Sequence, residues 1–287
     1  MKKSTFLHLR FPFSFFLLPV FLFAAAVAVP FSWSQFVWLF VILHLLLYPA
    51  SNGYNSYFDK DEGSIGGLKN PPKVSPELFY VSWIMDLLAI AIGWLVFSWQ
   101  LALMLLIYGM MSKAYSHPMV RLKKRPVLGW IVAGVFQGYF TLMMSVMALQ
   151  GSGFSVFEDV STHLAGGLST LLLFGSYPMT QIYQHAEDKS RGDITLSLKL
   201  GIRGTFVFTA AFFTLSVALF YAYLSTCFVA YSGFVFVAAL LPVLIYFTTW
   251  FAKVLKDAQK ADYTHTMRLN LISSCCLNAF FLWLIFS

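Results

Sequence analysis

Apolar residues fall in long blocks along this chain, and short polar stretches divide them. A helix needs about 20 apolar residues to cross a bilayer. Nine blocks meet or approach that length, at roughly 11–29, 33–50, 79–98, 100–115, 128–149, 162–179, 204–224, 229–252 and 268–286. The pattern predicts an all-α, polytopic membrane protein of nine transmembrane helices. No composition shift marks a separate soluble domain, so residues 1–287 read as one domain.

Two polar stretches break the rhythm. The first, from Asn52 to Lys73, reads NGYNSYFDKDEGSIGGLKNPPK. Asn52, Asn55 and Asp59 stand at i, i+3 and i+7, which places them on one face of a helix. The second reads QIYQHAEDKSRGDITLSLKLG and repeats the spacing with Gln181, Gln184 and Asp188. In both, the Asp is followed by Lys and then by Gly: Asp59, Lys60, Gly63 and Asp188, Lys189, Gly192. Acid and amide oxygens beside ammonium and guanidinium groups suit a hard cation bridged to phosphates. The plainer alternative is a pair of solvated helix ends at a membrane surface.

Composition supports the membrane class. Only 11% of the residues are charged and 59% are hydrophobic, against about 25% charged in a soluble domain. The basic residues set the topology. All 19 Lys and Arg fall in the N-terminal segment or at the even-numbered connections. By the positive-inside rule the N-terminus and those connections are cytoplasmic, and the C-terminus is outside. The net charge of +7 therefore reads as topology and attraction for anionic phosphate, not as nucleic-acid binding. Residues 1–30 also have the outline of a signal peptide, with AAAVAVP at the cleavage position. The charge alternation works with that span retained. The three cysteines, Cys227, Cys275 and Cys276, offer no CxxC spacing and no evident disulfide framework.

Other polar residues stand inside apolar blocks. Asp86 lies one turn into the third span, and an intramembrane carboxylate faces a cavity or bonds a neighbouring helix. His44 reads as a packed core residue. Gln137 is a polar residue among apolar ones and a candidate to face a cavity. The segment YSHPMVRLKKRPVLGW places Tyr115 at an interface and alternates Arg121 and Lys123 with Leu122. The eighth connection reads as a solvated, charged helix end.

Together these residues resemble the UbiA superfamily of intramembrane prenyltransferases. The family's first signature, approximately NDxxDxxxD, is similar to NSYFDKDEG, with Asn55 and Asp59 matching and Lys73 on the following basic position. Its second signature, a DxxxD-type run leading to GxxT and Leu-Gly, is matched by Asp188, Gly192, Thr195 and Leu200–Gly201. YSHPMVRLK resembles the Tyr-Ser...Lys-Leu-Lys segment of chlorophyll-synthase-like members. The chain departs where Gly63 takes the place of an acid, and where Gln181 and Gln184 stand in place of Asp.

The resemblance implies a helical bundle around a central cavity capped by cytoplasmic loops. It implies transfer of a prenyl group from a prenyl diphosphate to an aromatic or other lipid-soluble acceptor, such as a quinone precursor, within the bilayer. It implies Mg²⁺ on Asn52, Asn55, Asp59, Gln181, Gln184 and Asp188, with Asp59 and Asp188 the catalytic carboxylates. Diphosphate would be held by Lys73, Tyr115, Arg121 and Lys123. The expected location is the cytoplasmic (inner) membrane of a bacterium. Two rivals stand beside this reading: a terpene cyclase of the same superfamily, and a transporter with Asp86 on its path.

Overall fold

The computed structural model describes residues 1–287, and its regular structure is helical throughout apart from one isolated bridge between Ile65 and Leu68. Eleven helices follow one another. α1 (Lys3–Leu9) passes through a 3₁₀ turn at Phe11–Phe16 into α2 (Leu18–Ala28). α3 covers Trp33–Asp59 and α4 Glu77–Val96. α5 is Trp99–Ser116, α6 Pro126–Gln150 and α7 Val160–Ser176. After a 3₁₀ segment at Tyr177–Gln184 come α8 (His185–Arg191), α9 (Leu196–Cys227), α10 (Ser232–Lys256) and α11 (Tyr263–Phe286).

Six of these, α3, α4, α6, α9, α10 and α11, are long and apolar enough to cross a membrane. The segment Lys3–Phe16 with α2 makes a seventh if the pair, bent by 48°, counts as one span. The apolar blocks at 100–115 and 162–179 form the shorter helices α5 and α7, of 18 and 17 residues.

Local chemistry sets the helix ends. Ser98, Asp159, Thr195 and Asp262 each accept a hydrogen bond from a first-turn backbone N–H, capping α5, α7, α9 and α11. α8 ends at Gly192 with φ 71°, a left-handed cap that glycine adopts without steric cost. Lys60 closes α3 in the same region, at φ 49°.

The chain is inside-out relative to a water-soluble protein. Only 28% of the apolar window of α9 and 22% of that of α10 is buried, against 61% in α6. α6 is thus an inner helix, as is α2, in which nine of eleven residues are buried, and α9 and α10 present apolar side chains outward, as a lipid solvent favours. Phe23 stacks on Phe281 at 4.8 Å and meets Phe220 at 5.3 Å, joining α2, α11 and α9.

Two buried features tie the inner helices. Asp86 of α4 forms an ion pair with Lys113 of α5, and both side chains are about 5% exposed or less. The Lys113 ammonium also lies 4.9 Å from the centre of the Tyr54 ring and 4.5 Å from that of Trp83, a cation–π cage that further offsets desolvation. The second feature is at Gly138, where a Cβ would come within 2.6 Å of the Thr170 backbone. That close approach of α6 to α7 coincides with a π turn at Phe136–Phe140. The Tyr139 N–H donates to Thr170 Oγ1 at 2.9 Å, so a neighbouring helix satisfies a group of the distorted ladder.

Candidate functional site

The first polar stretch enters the site as the last two turns of α3. Because Tyr48–Asp59 is helical, Asn52, Asn55 and Asp59 share a face, and all three line one cavity of about 220 Å³. The second stretch reaches the same cavity by another geometry. Tyr177–Gln184 is 3₁₀, where residues three apart lie above one another, and α8 begins only at His185. Gln181, Gln184 and Asp188 all line the cavity. The two stretches, more than 120 residues apart in sequence, therefore form opposite parts of one wall. Gln184 Nε2 donates to the Ser64 carbonyl at 3.2 Å, and Glu187 accepts from the Glu62 N–H at 3.1 Å.

Four carboxylates and three cations meet here. Arg121 forms a two-pronged hydrogen bond to Asp193, with Nε–Oδ1 and Nη2–Oδ2 both 2.8 Å, and lies 3.6 Å from Asp59. Lys123 pairs with Asp59 and stands 4.0 Å from Asp193. Arg191 pairs with Asp61 and lies 3.7 Å from Asp188 Oδ1. Thr195 Oγ1 donates to Asp188 Oδ2 at 3.3 Å. Burial pushes the Asp188 carboxyl up to about 6, against the pull of Arg191 and Lys123. Burial also acts upward on Asp193, but the Arg121 hydrogen bond and the nearby Lys123 and Arg191 charges outweigh it and hold that carboxyl low. Lys123 lines the cavity directly, while Arg121 stands behind Asp59 and Asp193. The Tyr115 and Tyr177 hydroxyls are hydrogen-bonded to each other at the cavity wall.

Two oxygens bear on metal binding. Asp59 Oδ1 and Gln181 Oε1 are buried and have no hydrogen-bond partner. Asp59 Oδ1 has only the long 3.6 Å ion pair to Arg121, a buried oxygen without a hydrogen bond is costly, and both are hard donors of the kind that Mg²⁺ or Ca²⁺ takes. No three carboxylate, imidazole or thiol groups gather into a cage of their own. The donor set fits a hard cation that completes its shell with water or phosphate oxygens.

Lys73 is not among the cavity residues. It is exposed, and its backbone carbonyl accepts a hydrogen bond from Ser4 Oγ. Arg10, by contrast, lines the cavity and is buried. Its guanidinium donates to the Gly66 carbonyl at 3.1 Å and the Asn52 carbonyl at 3.3 Å. In the sequence Arg10 reads only as a topology charge. The signal available was an arginine inside the aromatic run LRFPFSFF. Asp61, Arg191 and Asp193, which flank the two motifs, also line the cavity.

A second, apolar chamber of about 340 Å³ adjoins the polar cavity, between α2, α7, α9, α10 and α11. The two share lining residues, among them Phe13, Ser51, Tyr108, Gln137 and Tyr177, so these form a neck between them. Leu173, Phe213, Val243, Phe247 and Leu277 are among the apolar walls beyond the neck. An arrangement of this kind can hold an amphiphile with an anionic head and a hydrocarbon tail.

A family model described as the UbiA prenyltransferase family matches residues 15–285. A search of curated proteins finds no match. Among solved structures, a UbiA homolog from Aeropyrum pernix K1 superposes with a TM-score of 0.71 at 18% identity, covering 94% of this chain and 97% of that one. A UbiA homolog from Archaeoglobus fulgidus, bound to DMAPP and Mg²⁺, gives 0.67 at 16% identity with 99% of both chains covered. A digeranylgeranylglyceryl phosphate synthase gives 0.61 at 18% identity, again over 99% of both. At these identities the likeness is one of fold.

Proposed function

The chain belongs to the UbiA prenyltransferase family, and from that premise we propose that it transfers a prenyl group from a prenyl diphosphate to a lipid-soluble aromatic or quinone-precursor acceptor within the membrane. The observation that carries this reading is the joined pair of cavities. A site of acids and cations meets an apolar chamber at a neck, which matches the head and tail of such a donor.

The division of labour follows from the chemistry. Mg²⁺, the ion bound beside DMAPP in the Archaeoglobus fulgidus homolog, neutralises charge on a departing diphosphate when bound. Asn52, Asn55, Asp59, Gln181, Gln184 and Asp188 are the residues that would hold it. The buried Asp59 Oδ1 and Gln181 Oε1, neither of which accepts a hydrogen bond, support that assignment. Lys123, Arg121 and Tyr115 would hold the diphosphate, and Arg191 and Arg10 add positive charge to the same wall. Lys73, exposed outside the cavity, has no part in this scheme. As the C1–O bond breaks, its electron pair leaves on the diphosphate. An electron pair of the acceptor then forms the new bond to C1, and one acceptor proton is lost. Phe13, Tyr108 and Tyr177 at the neck favour the allylic cation through their ring faces, and the apolar walls exclude water that would quench it.

The proposed topology has nine spans with the N-terminus cytoplasmic and the C-terminus outside. It counts the six long helices, the bent α1–α2 pair, and α5 and α7. The polar cavity would then face the cytoplasm and the protein would sit in a bacterial inner membrane as one domain.

The test uses purified protein with Mg²⁺, prenyl diphosphates of graded length and aromatic acceptors, read by diphosphate release and product mass. A product heavier than the acceptor by one prenyl group supports transfer. A cyclised hydrocarbon with no acceptor incorporated would mean cyclase chemistry in the same site. Absence of diphosphate release with every donor would refute both.

A further inference from the structure

The basic side chains of the polar cavity are not all committed in the same way. Asp59, Asp61, Asp188 and Asp193 line it, and four basic residues meet them: Arg10, Lys123 and Arg191 on the wall, and Arg121 behind. Arg121 gives the Nε–Nη2 edge of its guanidinium to Asp193. Lys123 pairs with Asp59. Arg191, the last residue of α8 before the Gly192 cap, is held from its other end. Its Nη1 pairs with Asp61 and donates to the Asp59 carbonyl at 3.3 Å. Its Nε is buried with no hydrogen-bond partner, and its Nη2 has Asp188 Oδ1 only at 3.7 Å. The Nε–Nη2 edge is therefore the free edge of a guanidinium already fixed in place. Two parallel donors on one edge are what phosphate oxygens accept in pairs.

Few oxygens are left for a cation. Asp61 is tied to Arg191, and Asp193 is tied to Arg121 through both of its oxygens. The second stretch offers one carboxylate, Asp188, beside the neutral amides of Gln181 and Gln184. Asp188 Oδ2 already accepts from Thr195. Asp59 Oδ1 and Gln181 Oε1 accept no hydrogen bond, and Asp188 Oδ1 meets only the distant Arg191 Nη2. These oxygens make one donor set that joins the two stretches. A second dication on the Gln-bearing stretch would have no carboxylate of its own, and amide oxygens bring no charge.

Charge balance points the same way. A prenyl diphosphate carries about three negative charges near neutral pH, more than one divalent cation offsets. The guanidinium of Arg191 supplies further positive charge on the second stretch, and it repels another dication placed there.

We propose that the site takes a single divalent cation, shared by the Asp59 and Asp188 stretches, and that Arg191 is a substrate-binding residue whose Nε–Nη2 edge holds the diphosphate in place of a second cation. The inference rests on the prenyl-transfer reading.

The experiment counts bound metal and measures ligand affinity. The full chain in detergent is dialysed against Mn²⁺ with an unreactive thio-analogue of geranyl diphosphate, and bound Mn²⁺ per chain is read by atomic emission. The affinity for that analogue is compared with the affinity for geranyl monophosphate, in wild type and in Arg191→Gln. Wild type is expected to hold one Mn²⁺ per chain and to prefer the diphosphate analogue. Arg191→Gln is expected to weaken the analogue about tenfold or more, as loss of a charge-assisted pair does, and the monophosphate less than about twofold. A residue that only braces the loop at Asp61 would weaken both ligands alike. Arg191→Lys keeps the charge but loses the fork. It should narrow the preference in the same direction, and carries the test if Arg191→Gln fails to fold. Two Mn²⁺ per chain with the analogue bound, or variants that keep the wild-type preference, overturn the inference and leave prenyl transfer standing. No binding of the analogue by wild type at any Mn²⁺ concentration overturns the function itself, and this inference with it.

Discussion

The carboxyl of Asp188 gives the most direct handle on the proposed metal site. Burial raises it to about 6, although Arg191, Lys123 and Thr195 all act to lower it. A cation must displace the proton before it can bind this oxygen. For a group at about 6, the ionised fraction is about nine-tenths at pH 7 and about one-tenth at pH 5. Mg²⁺ affinity should therefore weaken about tenfold across those two pH units through this residue alone. An aspartate at its ordinary value near 3.8 would lose only about a tenth of its ionised form over the same range. The sign for stability runs the other way. A raised acid favours the folded state fully below about pH 4, and that contribution is lost as pH rises through about 6. The assay is calorimetric titration with Mg²⁺ alone at pH 5, 6 and 7, on the full chain and on Asp188→Asn. The variant should bind more weakly at pH 7 and show a flatter pH dependence. Equal affinity of the full chain at pH 5 and pH 7, or the same slope in the variant, would refute the assignment of Asp188 as a metal ligand.

Other outcomes follow from the same geometry. Asp59→Asn should lower kcat by about 10²–10³, the usual effect of removing one electrostatic contact to developing charge, whereas Lys123→Met should raise the KM for prenyl diphosphate as well, since its charge meets the bound ground state; steady-state kinetics on both variants checks this. Lys113→Met leaves the buried Asp86 unpaired and should cost about 3–5 kcal/mol of stability, measured by thermal or denaturant unfolding in detergent. Asp86→Leu combined with Lys113→Met should recover most of that loss, and a double variant no better than the single would contradict the ion-pair account. Reporter fusions after residues 155 and 287 should both report the external side, and a cytoplasmic signal at either would break the nine-span topology.

Much of this arrangement was legible in the chain because its signals are local. The apolar blocks map onto helices, since hydropathy over about 20 residues is what a bilayer selects. The spacing of Asn52, Asn55 and Asp59 predicts one helical face, and α3 runs to Asp59. The second stretch has the same spacing, but Pro178 opens a 3₁₀ segment instead. Gln181 and Gln184 still share a side there, because three residues make one 3₁₀ turn. What the sequence concealed depends on contacts between distant segments. Asp86 and Lys113 are 27 positions apart, and the sequence alone shows a carboxylate in a span and a cytoplasmic charge with nothing to join them. Arg10 reaches Gly66 only because the N-terminal segment folds back over the first polar stretch. Lys73 closes that stretch, yet the chain there runs against α1 and leaves its side chain exposed. Adjacency in sequence did not become adjacency in space.

The central claim is that the Asp59 and Asp188 stretches serve one metal–diphosphate site. The measurement that bears on it most directly is a structure with Mn²⁺ and an unreactive thio-analogue of a prenyl diphosphate, with the metal located by anomalous scattering. The account predicts metal density in the cavity between α3 and α8, about 2.0–2.2 Å from oxygens of both Asp59 and Asp188 or bridged to them by a single water, with the hydrocarbon tail passing the neck into the apolar chamber. Metal bound by one stretch alone, or diphosphate lodged away from Lys123, would contradict it.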